Sequence, residues 1–177
     1  RDQTRTEEAV AYVRSHSSVG LVESRLCDFS SLEGVRNLAA DLLSTQPRID
    51  VLINNAGLWH PERRLSRDGI EDTFAVNHLA PFLLTNLLLP RLTESGSARI
   101  VNVSSRLHEK QSAFDFEDPQ ATRSYHGLRA YSQSKLANVL FTRQLAKRVK
   151  EHGITTYSLH PGVVASDVWR NVPWPFR

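Results

Sequence analysis

Asp50-Val51-Leu52-Ile53-Asn54-Asn55-Ala56-Gly57 is a short apolar run that breaks into two amides, an alanine and a glycine. A run this short and unalternated reads as a strand buried on both faces, the habit of parallel sheets. Working outward, the same pattern recurs. Arg99 to Val103 is a second buried strand and ends in Ser104-Ser105, while Ile154 to Leu159 is a third and ends in His160-Pro161-Gly162. Upstream, Val19 to Cys27 reads as a further strand closing on Asp28.

Helical patterns fill the gaps. Thr6 to Arg14 spaces Ala9, Val10 and Val13 for a helix, and Ser30 with Glu33 has the spacing of a capping box. Leu32, Val35, Leu38, Ala39, Leu42 and Leu43 continue from that box as an apolar stripe, stopped by Pro47. A long helix is predicted from about Asp68 to Leu92, kinked at Pro81, and another over Ala130 to Lys150, closed by Gly153. Strands alternating with helices predict a Rossmann-like doubly wound α/β fold: three layers, a parallel sheet covered on both sides. In such sheets ligands bind beyond the carboxyl ends of the strands, where Asp28, Asn54–Gly57, Ser104-Ser105 and Pro161-Gly162 all fall.

Several residues near that rim carry chemistry. Tyr131 and Lys135 are four apart on a helix, so phenol and ammonium share a face. A cation beside a phenol favours the phenolate, and a tyrosine shifted in this way can exchange a proton with a carbonyl oxygen. Alone, the pair is also what chance puts on many helices. Ser105 ends a strand, where its hydroxyl either bonds a substrate oxygen or closes a turn. Asn77 interrupts a helix, to hold a water or as a plain surface amide. Asn55, Ala56 and Gly57 allow a flat ring close to the backbone, or form an ordinary turn. Asp28 accepts a hydrogen bond from an adenine amino group, or simply starts a helix.

Composition limits the alternatives. The 177 residues suffice for one domain, and a formal net charge of +3 from scattered basic residues gives no nucleic-acid footprint. The one cysteine, Cys27, rules out an intrachain disulfide, fits a reducing compartment and reads as a small packed hydrophobe. The most apolar run, Phe82 to Leu89, is too short to span a bilayer. The sequence has no G-x-S-x-G elbow for a serine hydrolase and no H-E-x-x-H or paired Cys/His spacing for a metal.

Taken together, these residues resemble the short-chain dehydrogenase/reductase family from the first residue to about Asp167. The resemblance implies a single partial NAD(P)-binding domain over residues 1–177, with Tyr131 as general acid/base. It implies that Lys135 lowers the tyrosine pKa and grips the nicotinamide ribose, that Ser105 orients the substrate carbonyl, and that Asn77 holds a water in the proton relay. Asn54–Gly57 is similar to the family's N-N-A-G element. Pro161-Gly162-Val163 with Ser166 resembles its P-G-x-x-x-T segment at the nicotinamide end, serine replacing threonine. Val76–Leu79, Tyr131–Asn138 (YSQSKLAN) and Ser158–Gly162 look like the retinol dehydrogenase branch, as does the long connection between Ser105 and Tyr131. Phe114 and Phe116 in that connection either wall a substrate pocket or belong to a solvated flap. Arg1 resembles the arginine that takes the 2′-phosphate, which favours NADP over NAD.

The implied activity is hydride transfer between a lipophilic alcohol, retinol-like, and its aldehyde or ketone. The implied partners are that small substrate and a second copy of the chain, with membrane contact only through segments outside these residues. The implied location is intracellular: cytoplasmic, or cytoplasm-facing on the endoplasmic reticulum. The family's opening T-G-x-x-x-G-I-G turn, which receives the pyrophosphate, is not in this sequence, nor is any methionine. The fold is therefore expected to be incomplete at both ends. Two readings follow: a segment of a longer oxidoreductase, or a non-catalytic remnant or interaction module that cannot hold the dinucleotide.

Overall fold

The computed structural model describes residues 2–17 and 20–162. Among them, β1 (Val51–Asn54), β2 (Arg99–Val103) and β3 (Thr155–Leu159) form a parallel sheet in the order β1-β2-β3. The helices are α1 (Gln3–His16), α2 (Leu32–Thr45), α3 (Asp72–Phe74), α4 (Ala80–Glu94) and α5 (Gly127–Val149), with a π-helical turn over Ala75–Leu79 between α3 and α4. This is the Rossmann-like α/β class, in part.

Register explains where the core lies. Leu52 pairs with Ile100 and Ile100 with Thr156, so these share one face; Ile53, Val101 and Tyr157 share the other. Both crossovers, through α4 and α5, step the same way across the sheet, and right-handed crossovers of one sense put their helices on one side. That side holds the core: Val35 and Ala39 of α2, Leu84, Leu88 and Leu92 of α4, Leu145 and Val149 of α5, and Ile100, fully buried. The opposite side has no helix on it among the described residues, and Ile53 is 60% exposed. The expectation of strands buried on both faces therefore fails for β1. Cover on the second face needs crossovers running in the opposite direction.

Four boundaries differ from the sequence reading. The segment of residues 20–27, expected as a strand, forms neither helix nor strand and pairs with no strand among the described residues. Instead Arg25 anchors it to α2, donating from Nε to Asp41 at 2.8 Å. The α2 N-cap is Ser31, whose Oγ accepts from Gly34 N at 3.1 Å; Ser30 is drawn into a turn by Asp28. The long helix starts at Asp72, not Asp68, because Gly69 sits at φ 73° in a turn and Glu71 caps the amides of Thr73 and Phe74. Its irregularity lies in the π turn, one residue ahead of the helical turn holding Pro81, rather than at the proline itself.

Other expectations hold closely. Gly153 ends α5 and its short 3-10 extension at φ 68°, and Cys27 is half-buried against the core. Burial pushes the Cys27 thiol up. No described helix is long and apolar enough to cross a membrane.

Gly153 provides a test. A Cβ there would meet the Gly96 carbonyl oxygen, whereas a Cβ at Gly69 meets open space. Both sit at positive φ, where a side chain costs about 1–2 kcal/mol. Gly69→Ala should lose only that amount in urea unfolding, and Gly153→Ala clearly more.

Candidate active site

The strand ends and α5 assemble one polar cluster. Ser104 Oγ donates to the Lys135 carbonyl at 2.9 Å, fastening the middle of α5 to the end of β2. That sets the height of the stripe Tyr131, Ser134, Lys135 and Asn138, spaced i, i+3, i+4, i+7 and all buried. Ser105 follows directly, and its hydroxyl hydrogen-bonds the Tyr131 phenol while accepting from Leu107 N at 3.2 Å.

Lys135 is 3% exposed and faces no carboxylate among the described residues. Its Nζ donates to the Val103 carbonyl at 2.9 Å and stands 5.6 Å from the Tyr131 ring centroid. Burial alone pulls its pKa down to about 8. The Tyr131 phenol moves the other way: burial pushes it up, and the Ser105 hydrogen bond pulls it partly back. Sequence reasoning expected the lysine to lower the tyrosine. In the structure the net direction is upward because burial of the phenol outweighs the Ser105 hydrogen bond, while the ammonium stands over the ring and is spent partly on Val103 O.

Asn77, 1% exposed in the π turn, joins the cluster from the other side. Its Oδ1 accepts from Leu58 N at 2.8 Å, and its Nδ2 donates to Leu58 O at 2.9 Å and to Ser134 Oγ at 3.0 Å. The side chain is thus a clasp between α5 and the loop after β1, not a surface amide. A Cβ on Gly57 would stand 3.3 Å from Lys135 Nζ and 3.5 Å from Asn77 Oδ1. Glycine keeps that corner clear.

The structure brings together Asn77, Ser105, Tyr131, Lys135 and Gly57. Asn55 and Ala56 lie exposed on the same rim, and Pro161 and Gly162 lie exposed beyond β3. Asp28 is half-buried, accepting from Ser30 N and Oγ with Arg67 at 3.3 Å. Arg1, Val163 and Ser166 lie outside the described residues. Phe114 and Phe116 meet each other and, through Phe74, line a groove of about 540 Å³ with His78, Phe82 and Phe141, which no member of the tetrad lines.

Sequence reasoning passed over the buried amides and hydroxyls that support the cluster. Asn54 Nδ2 donates to Thr85 Oγ1 at 2.9 Å and to Asn102 Oδ1 at 2.8 Å, and Asn102 Nδ2 donates to Thr142 Oγ1 at 2.9 Å. Gln133 holds the connection after Ser105 by accepting from Asp115 N at 3.1 Å. The polar stripe on α5 was the available signal.

The sequence profile of the short chain dehydrogenases matches residues 1–174. The chain belongs to the short-chain dehydrogenase family. It is 43% identical over 185 residues to retinol dehydrogenase 14 of Mus musculus, covering 99% of this chain and 55% of that protein. It is 43% identical over 171 residues to retinol dehydrogenase 12 of Homo sapiens, covering 97% of this chain and 54% of that protein. Among solved structures, a metagenomic short-chain oxidoreductase in complex with NADP superposes with a TM-score of 0.72 at 25% identity, over 93% of this chain and 69% of that one. This short-chain dehydrogenase chain therefore spans just over half the length of the curated relatives it matches.

Lys135 gives a pH signature. With its folded pKa near 8 and its unfolded value near 10.5, the unfolded state holds more protons between those limits. Stability contributed by this group therefore rises with pH across that window. Denaturation midpoints from pH 8 to 10 should show a rise that Lys135→Met removes.

Proposed function

We propose that this chain is a single partial dinucleotide-binding domain carrying the chemical centre of an NADP-dependent oxidoreductase. The reaction is interconversion of a lipophilic, retinol-like alcohol with its aldehyde or ketone. The observation that carries this reading is the buried Tyr131 phenol, hydrogen-bonded to Ser105 and flanked by the buried ammonium of Lys135.

The residues fit a nicotinamide dinucleotide. A buried ammonium with protons beyond the one given to Val103 O suits the hydroxyls of a ribose. The open corner at Gly57 suits close approach of a ring, beside exposed Asn55 and Ala56. The cofactor, when bound, supplies or takes the hydride. Tyr131, whose phenol burial pushes up, gives its proton to a carbonyl oxygen, and Ser105 orients that oxygen by a second hydrogen bond. Lys135 sustains a positive field beside the phenol as its charge changes. Asn77 keeps Leu58 and Ser134 in register around them.

Support for NADP over NAD comes from the NADP-bound relative, with Arg1, Asp28, Pro161, Gly162, Val163 and Ser166 as the remaining candidate contacts. The retinoid class rests on the retinol dehydrogenases among the relatives. We assign the protein to the cytoplasmic side, with any membrane attachment, including to the endoplasmic reticulum, supplied by other segments. We assign α4 and α5 as its homodimer face.

The test is NADPH oxidation with retinaldehyde by the protein at its natural length. Tyr131→Phe should cut kcat by roughly 10²–10⁴-fold, the usual contribution of a positioned acid. Its fold and its affinity for NADPH should be nearly unchanged. Equal rates in the two proteins would remove Tyr131 from the reaction.

A further inference from the structure

We propose that Asn138 is a positioning residue for Asn77, standing in for the backbone donor that Pro81 lacks. The inference rests on the oxidoreductase reading for its catalytic consequence, and on geometry for the rest. In a regular helix the carbonyl of Asn77 accepts from the N–H four residues on. That residue is Pro81, which has none. A buried carbonyl left without a donor is costly, and the helix widens there: Ala80 N reaches back to Ala75 O, five residues away. The vacated carbonyl is taken by a side chain from another helix. Asn138 Nδ2 donates to Asn77 O at 2.9 Å.

The amide of Asn138 is itself fixed on every side. Its Oδ1 lies 3.0 Å from His78 Nδ1. Because Nδ2 is committed to Asn77, Oδ1 must be the acceptor, so His78 carries its proton on Nδ1. Burial holds the imidazole below its ordinary pKa, which keeps it neutral and able to serve in this tautomer. The Asn138 carbonyl accepts from Thr142 Oγ1 at 2.7 Å, and Thr142 accepts from Asn102 of β2. An ordered path therefore runs from β2 through Asn138 to the backbone of Asn77. The Asn77 side chain meets Leu58 and Ser134 only because its backbone stays in the π turn.

A stabilising contact and a positioning contact can be separated here. In Asn138→Ala the Asn77 carbonyl loses its donor, and both melting temperature and kcat should fall, kcat by roughly tenfold to 100-fold for a displacement near 1 Å. Pro81→Ala restores a backbone N–H that can serve the same carbonyl within a regular α turn. In the double variant the melting temperature should recover while kcat stays low, because the regular turn carries Asn77 away from Leu58. Recovery of kcat together with stability would overturn the proposal, as would a folded Asn138→Ala with undiminished kcat. If that variant does not fold, Asn138→Asp keeps the acceptor for His78 but removes the donor to Asn77, and should show the same loss.

A spectroscopic readout stands apart from turnover. Imidazole 15N shifts of the unmutated protein should report the Nδ1–H tautomer at His78, and Asn138→Ala should shift the population toward Nε2–H. An Nε2–H tautomer in the unmutated protein refutes the geometry. A protein that shows the tautomer and the thermal rescue but never oxidises NADPH refutes the oxidoreductase reading and leaves the geometry standing.

Discussion

Asn77 pairs with Leu58 as a strand residue would, taking its N–H and its carbonyl at once, but does so with a side chain. The rest of the site depends on that clasp. It fixes the loop after β1, which fixes Gly57, which leaves the corner open above Lys135. Its third bond, to Ser134, ties the same loop to α5 three residues past the phenol. Three separate stretches of chain are held in common register by one buried amide, and bonds to buried partners of this sort are costly to leave half-made.

The electrostatics follow from where the clasp puts the charges. Among the described residues Lys135 has no carboxylate beside it, the partner that normally accompanies a lysine in a protein interior. Its carbonyl partner Val103 offsets part of the desolvation, and the remainder appears as a depressed pKa. Tyr131 is pushed in the opposite sense by the same dry surroundings. The two groups, nearly matched in proton affinity in water, are thereby driven apart, the phenol holding its proton more tightly than the ammonium does. Support comes from layers beneath: the Asn54–Asn102–Thr142 chain holds strands and helices together with polar contacts where an apolar core would be less particular about register.

Much of this was legible in the chain. The apolar runs before Asn54, Ser104 and His160 identified all three strands of the sheet within a residue or so, because short apolar runs that end in small or polar residues leave few alternatives. The spacing of Tyr131 and Lys135 placed them on one face, and the helix delivered it. What escaped was decided by partners distant in sequence. The segment ending at Cys27 has strand composition, but composition cannot supply a neighbour to pair with. Asn77 looked like a flaw in a helix, and its function depends on Leu58 and Ser134. Pro81 advertised a kink, yet the wide turn and its rescue by Asn138 required a contact between two helices. The burial that pushes the Tyr131 phenol up escaped for a related reason. Spacing reports that a cation is near, while burial depends on everything else that packs around it.

Asn77, Ser105, Tyr131 and Lys135 come from one unbroken stretch between β1 and β3, joined by successive crossovers of the same sense. The proposed reacting centre is therefore encoded as a contiguous cassette. Recognition of phosphates, or of a particular hydrophobic substrate, can be contributed by chain on either side of it. Such an arrangement separates the groups proposed to handle the proton from those that would set affinity, so that the two can be altered independently by substitution.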